Sequence, residues 1–169
     1  MHRPFLTMVA FVVGVFFSQT LLAAPDFRIA YRNQDNSHRA IGSCVEIPDL
    51  SPGITVELMQ MVGRKLGLKT EFVRTPWKRC LYLAEQGGVD AIFHASYKPQ
   101  RAEFGVYPIK AGKLDTERSI YTNRYVIYIR KGTSVEWDGN RFSKTTKPLG
   151  TMLGAAGAAD LRNMNYVVE

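Results

Sequence analysis

Apolar and polar positions along the chain fall into short blocks whose period switches between two and three to four. Residues 27–32 (FRIAYR) alternate apolar and polar side chains, the period of a half-buried strand. A connection rich in Asn, Ser, Asp, Gly and Pro follows over residues 33–53 and closes at Pro52-Gly53. Connections that long inside a compact domain are often functional. Ile54, Leu58, Met61, Val62 and Leu66 then recur at helical spacing, and Gly67 ends that helix as a C-terminal cap. Residues 68–74 (LKTEFVR) read as a second strand. Pro76 opens a second helix from Trp77 to about Gln86, with Trp77, Leu81 and Ala84 on one face and Gly87-Gly88 at its end. Residues 89–93 (VDAIF) form a short apolar run of the kind found in buried parallel strands.

Strand, helix, strand, helix, strand across residues 27–95 makes two successive βαβ units, and so predicts an α/β fold with a parallel sheet. Beyond it, residues 99–104 suggest one helical turn. Residues 119–130 (SIYTNRYVIYIR) carry the β-branched and aromatic alternation of a strand. Residues 131–147 are a polar connection. Leu149 to Met152 predict a strand, Gly154 to Arg162 a small-residue helix, and Tyr166 to Glu169 the start of another strand. A single βαβ unit beginning at Pro148 is too small to bury its own faces, so the pattern is expected to continue past Glu169 or to be covered by another chain.

The N-terminus changes the compartment. A positive start (Met1-His2-Arg3), an apolar run from Phe5 to Phe17 and the small residues Ala23-Ala24 predict a secretory signal peptide over residues 1–24. The alternative is an uncleaved membrane anchor. Export would expose Cys44 and Cys80 to oxidising conditions, where a pair tends to form a disulfide. Two buried free thiols are the alternative. Neither cysteine has a CxxC neighbour, so zinc and thiol-redox roles have no support.

The 169 residues include 22 Lys+Arg against 15 Asp+Glu, a formal net charge of +7. The basic residues are scattered, and no run of five and no nucleic-acid module occurs, so a solvated surface accounts for them better than a nucleic-acid partner. The histidines are His2, His38 and His94. GxSxG, HExxH, P-loop and GxGxxG motifs are absent, so the sequence assigns no catalytic residue, metal or cofactor. Asp90 and Glu103 are available carboxylates, and Asp90, just before a buried strand, suits a structural role better than catalysis. Residues 94–101 (HASYKPQR) follow the third strand at the edge where open α/β sheets bind ligands. The Ser96 hydroxyl and the Arg101 guanidinium suit a carboxylate, which arginine pairs bidentately. The alternative is a local cap or an ion pair between Arg101 and Glu103.

These motifs together resemble a known family. The strand "GVDAIF" followed by "SYKPQRAEF", the preceding "PWKR" helix, and the later "YVIYIRKGT" and "LGTMLG" are similar to the amino-acid-binding periplasmic solute-binding proteins that feed ABC transporters, solute-binding protein family 3. The resemblance covers roughly residues 26–169. It implies the two-lobed α/β fold of a type 2 periplasmic binding protein, with a ligand clamped by hinge closure. It places Ser96 and Arg101 on the ligand's carboxylate, with His94 adjacent and Thr151 in the loop opening the second lobe. The family's aromatic after the first strand has no direct counterpart over residues 33–53, and Tyr31 and Trp77 are the candidates to substitute for it. The family's acidic residue for a ligand ammonium lies further along the second lobe, beyond Glu169.

The expected organisation is therefore a signal peptide over 1–24, lobe one over 25–118, a crossover strand and linker over 119–147, and the opening of lobe two over 148–169. The expected function is non-catalytic capture of a small polar, amino-acid-like or carboxylate-bearing solute in the periplasm. The expected partners are that solute and the membrane permease of an ABC importer, with no nucleic acid and no cofactor. A ligand-sensing module and a dehydratase-like enzyme on the same fold are the alternatives.

Overall fold

The computed structural model describes residues 26–36, 38–43, 45–145 and 148–168, so the signal-peptide segment, Cys44 and Glu169 lie outside the described residues. The alternating segment becomes β1, Phe27–Arg32, the central strand of a parallel sheet ordered β2-β1-β3. β2 is Thr70–Thr75 and pairs with all of β1, from Phe27 opposite Thr70 to Arg32 opposite Thr75. β3 is Ala91–Ile92 and pairs with Ile29 and Ala30. The helices α1, Ile54–Leu66, and α2, Trp77–Glu85, connect these strands.

The pleat of β1 sorts the core into two layers. Ile29 and Tyr31 point to one face, where Val56 of α1 and Phe93 close over them. Ala30 points to the other, beneath Trp77 and Cys80 of α2 and beside Val89. Period-two alternation on a strand covered on both faces produces this arrangement. The side chain of β1 facing α2 is the smallest of the three, and the bulky indole of Trp77 fills the space above it.

Helix α1 turns a different face to the sheet from the one its apolar spacing predicts. Thr55, Val56 and Gly63 are buried, whereas Ile54 and Leu66 are 66% and 65% exposed and Leu58, Met61 and Val62 are also exposed. The reason is a close approach at Gly63, where a Cβ would sit 2.5 Å from Thr70 Cγ2. Glycine there lets α1 settle against the start of β2, and that contact sets the rotation of the helix. Gly67 caps it in the left-handed conformation as expected, its N–H bonding back to Arg64 and Gly63 carbonyls.

The predicted strand over residues 119–130 is not formed. Residues 121–130 have no regular structure, and Tyr125 to Ile129 are exposed. Strand propensity describes side chains that fit a pleated surface, and a strand still needs a neighbour for its N–H and C=O groups. Among the described residues none pairs with this segment. Among the described residues, the predicted strand at Leu149–Met152 and the part of the next that precedes Glu169 reduce to one parallel bridge, Leu149 with Val168, supported by Leu149 N–H to Val167 O at 2.8 Å. Between them lies α4, Ala156–Asn163. Short elements fill the remainder: α3, Pro99–Ala102, a hairpin of β4, Ile109–Lys110, and β5, Lys113–Leu114, and a second of β6, Glu136–Trp137, and β7, Phe142–Ser143.

The long connection after β1 is held by Arg74 of β2. Its buried guanidinium donates to Ile41 O at 2.7 Å, Glu46 O at 2.8 Å and Gly42 O, and it stacks over the Tyr31 ring at 5.5 Å. Main-chain carbonyls, rather than a carboxylate, take up the Nη donors of this buried charge, while Nε is buried with no partner among the described residues. Among the described residues no helix is long and apolar enough to cross a membrane.

Candidate functional site

Strand order β2-β1-β3 means that the chain leaves β1 toward one side and returns on the other, which opens a crevice beyond the carboxyl ends of β1 and β3. A cavity of about 180 Å³ lies there. Arg32 ends β1 at its rim, Arg39 enters from the long connection, and His94 and Ser96 follow β3. Trp77 at the start of α2 and Arg101 in α3 line it as well. Met152, Ala155 and Ala156, from the segment opening α4, close the far side. A larger cavity of about 710 Å³ follows the open edge of β3 and shares His94, Ser96 and Arg101.

Arg101 is only 8% exposed. Nη1 donates to Ser96 O at 2.7 Å and Nη2 to Gly154 O at 2.9 Å, and the guanidinium lies 5.5 Å from the Trp77 ring centroid. Glu103 takes no part in these bonds. They use two of the five N–H donors an arginine carries. Trp77 Nε1–H donates to the same Gly154 oxygen at 3.0 Å, so two donors of the first half converge on one main-chain acceptor of the second. Lys98 adds an ion pair to Asp160, and Arg32 Nη1 lies 3.8 Å from Met152 Sδ. The α4 segment is thereby seated directly on the carboxyl edge of the sheet.

His94 adopts φ +66°, an unusual backbone conformation for a side chain with a Cβ. Its Nε2 lies 3.0 Å from Thr55 Oγ1, while Nδ1 is buried and has no hydrogen-bond partner among the described residues. Phe93 and Tyr121 pack edge-on against the ring. Burial, reinforced by the positive charges of Arg32 and Arg39, pushes the imidazole down to about 4. It stays neutral in the folded protein at pH values where an unfolded chain takes up a proton. Stability is accordingly expected to be full above about pH 6.5, to fall as the pH drops from there to about 4, and to lose nothing more from this group below that. Urea titrations at pH 7 and 4.5 should show a difference in unfolding free energy that is about 2 kcal/mol larger in the native sequence than in His94→Gln. Equal pH slopes would contradict this account of His94.

Four of the six side chains expected at the site line the smaller cavity: Trp77, His94, Ser96 and Arg101. Tyr31 does not, because it is fully buried in the α1-side core, stacked on Phe93 at 4.8 Å and edge-on to Phe72. Thr151 lies beside the lining, which uses Met152 and Ala155 instead. Ser96 contributes its carbonyl, which accepts from Arg101 and from Tyr107 Oη at 3.1 Å. Sequence reasoning missed Arg32 and Arg39. Arg32's place at the carboxyl end of the first strand was the available signal for one, and the length of the following connection for the other. Cys80 is a buried free thiol, pushed up to about 11 chiefly by burial, and the Cys44 expected to pair with it lies outside the described residues. Asp90 accepts the Arg28 N–H at 2.7 Å at the opposite end of β1 from the cleft. Among the described residues no cluster of His, Cys, Asp and Glu could hold a metal ion.

Residues 51–147 match the family model of the bacterial extracellular solute-binding proteins, family 3. Neither a curated protein nor a solved structure matches the chain.

Proposed function

The chain belongs to the bacterial extracellular solute-binding proteins, family 3, and from that premise we propose that it is an exported periplasmic receptor that captures a small carboxylate-bearing solute for an ABC importer. A solute-binding role follows from the family. The finer reading is supported chiefly by one observation. Arg101, Trp77 and His94 from the first half and Met152, Ala155 and Ala156 from beyond the linker meet around one cavity. In this reading residues 1–24 are the export signal, 25–118 form lobe one, 119–147 carry the crossover and linker, and 148–169 open lobe two. Arg101 supplies the guanidinium for the ligand carboxylate, and Trp77 supplies both a stacking face behind that guanidinium and an indole donor. Hydrogen bonds to charged groups are worth about 1.5–3 kcal/mol each, so a guanidinium on a carboxylate is the strongest single contact the cleft offers.

Binding proteins of this architecture close by moving one lobe onto the other. The Gly154 carbonyl already occupies donors of Arg101 and Trp77. A ligand carboxylate would take over that position as the α4 segment shifts. Thermal unfolding of the full chain in the presence of amino acids and small carboxylic acids tests the reading. At least one should raise the melting temperature through linkage. Arg101→Ala, with its fold checked by circular dichroism, should then bind about 100-fold more weakly. An undiminished shift in that variant would remove Arg101 from the site.

A further inference from the structure

We propose that the solute carries at least two anionic groups, because Arg32, Arg39 and Arg101 converge on one cavity of about 180 Å³ to whose lining, among the described residues, no Asp or Glu contributes. The inference rests on the binding-protein reading and narrows its ligand.

Five basic side chains elsewhere are neutralised by carboxylates, whereas the three cleft guanidiniums, like the buried Arg74, are not. Arg28 pairs with Glu71, Lys98 with Asp160, Lys110 with Glu117, Arg118 with Asp115 and Lys144 with Glu136. Among the described residues Arg32, Arg39 and Arg101 form no ion pair. Arg32 is the least satisfied of them. Its Nε is buried with no hydrogen-bond partner, and Nη1 faces only the Met152 thioether, a weak acceptor, at 3.8 Å. Arg39 lies over Tyr121, its central carbon 4.2 Å from the ring centroid. Arg101 lies 5.5 Å from the Trp77 ring centroid and keeps three of its five N–H donors beyond the two given to Ser96 O and Gly154 O. A ring contact of this kind takes no N–H donor, and the donors it leaves can grip carboxylate oxygens in pairs.

Charge completes the case. Like charges gathered in a partly buried site repel one another unless a counter-charge enters. A single carboxylate matches one guanidinium fork and leaves two positive groups facing each other. A ligand with two or more anionic groups matches the excess. His94 does not compete for it, since the same two arginines help to keep its imidazole neutral. The cavity corresponds to roughly six water volumes, so the matching ligand is compact, of the size of a short dicarboxylate or a phosphate.

Calorimetry and thermal unfolding of the full chain with succinate, inorganic phosphate, butyrate and L-glutamine, at matched ionic strength, test this. Succinate or phosphate should bind about 30-fold more tightly than butyrate or L-glutamine, and whichever of the two wins identifies the organic or the inorganic form of the same chemistry. Arg39→Gln should weaken binding of the multiply charged probe by about tenfold and of butyrate by no more than about threefold, and Arg32→Gln gives the same comparison if the first variant does not fold. If butyrate or L-glutamine binds as tightly as succinate and phosphate and depends on Arg101, the inference falls while the binding-protein reading stands. If no probe raises the melting temperature, both are overturned.

Discussion

Tyr31→Ala is expected to lower the unfolding free energy by about 4 kcal/mol, whereas Tyr31→Phe is expected to raise it by about 1 kcal/mol. The ring is fully buried at the centre of the α1-side core, stacked on Phe93 at 4.8 Å, edge-on to Phe72 and capped by the Arg74 guanidinium. Truncation to alanine removes the whole ring from a site that β1 cannot collapse, because the strand is pinned on both sides by β2 and β3. The hydroxyl is a separate matter. It is buried without a hydrogen-bond partner among the described residues, and burial raises its pKa despite the neighbouring Arg74. Removing an unpaired polar atom while keeping the aromatic contacts should therefore help. Urea denaturation of both variants decides the point, and a Tyr31→Phe protein less stable than the parent by 1 kcal/mol or more would show that the hydroxyl has a partner.

Gly53→Ala is expected to cost about 3 kcal/mol and to disturb the cleft as well. Gly53 adopts φ +110° and ψ 149°, a region that glycine alone occupies readily. An added Cβ would lie 2.6 Å from the Arg39 carbonyl carbon and oxygen and 2.8 Å from Ala40 Cα. These are backbone atoms, so no side-chain rotation relieves the clash. The same backbone closes the helix start, through Ile54 N–H to His38 O at 2.8 Å and Thr55 N–H to Arg39 O at 3.0 Å. Displacing it moves Arg39, so the variant should lose anion affinity in addition to melting temperature. A Gly53→Ala protein with the parent's melting temperature would refute this assignment.

Both substitutions act on features that were only half legible in the residue order. Pro52-Gly53 read as punctuation before a helix, and it is. That the glycine also makes room for Arg39 needed the third dimension. Tyr31 is a candidate ligand contact only as a stand-in for the family's aromatic after the first strand, and a period of two does not say which face α1 will cover. Helix α1 makes the same point in reverse. Its apolar spacing chose the face of Ile54, Leu58 and Leu66, and the close approach of Gly63 to Thr70 turned Thr55 and Val56 inward instead. The strand expected over residues 119–130 has the right side chains and, among the described residues, no hydrogen-bonding neighbour, a condition that composition cannot report.

What the amino-acid sequence determined by itself is local or repeats over short spans. It includes the βαβαβ order, the limits of β1 and α1 to the residue, the Gly67 cap, and the loop after β3 that carries Ser96 and Arg101. Periodicity, capping and turn chemistry act over a few residues, so they are written in the order of the chain. The tertiary structure alone decided the convergence of Arg32, Arg39 and Arg101 on one cavity, the seating of the Gly154 carbonyl on Trp77 and Arg101, and the withdrawal of Tyr31 into the core. Those outcomes depend on which strands become neighbours and on how closely a helix can approach them. They are set by contacts between residues far apart in the chain, and no local pattern encodes such contacts.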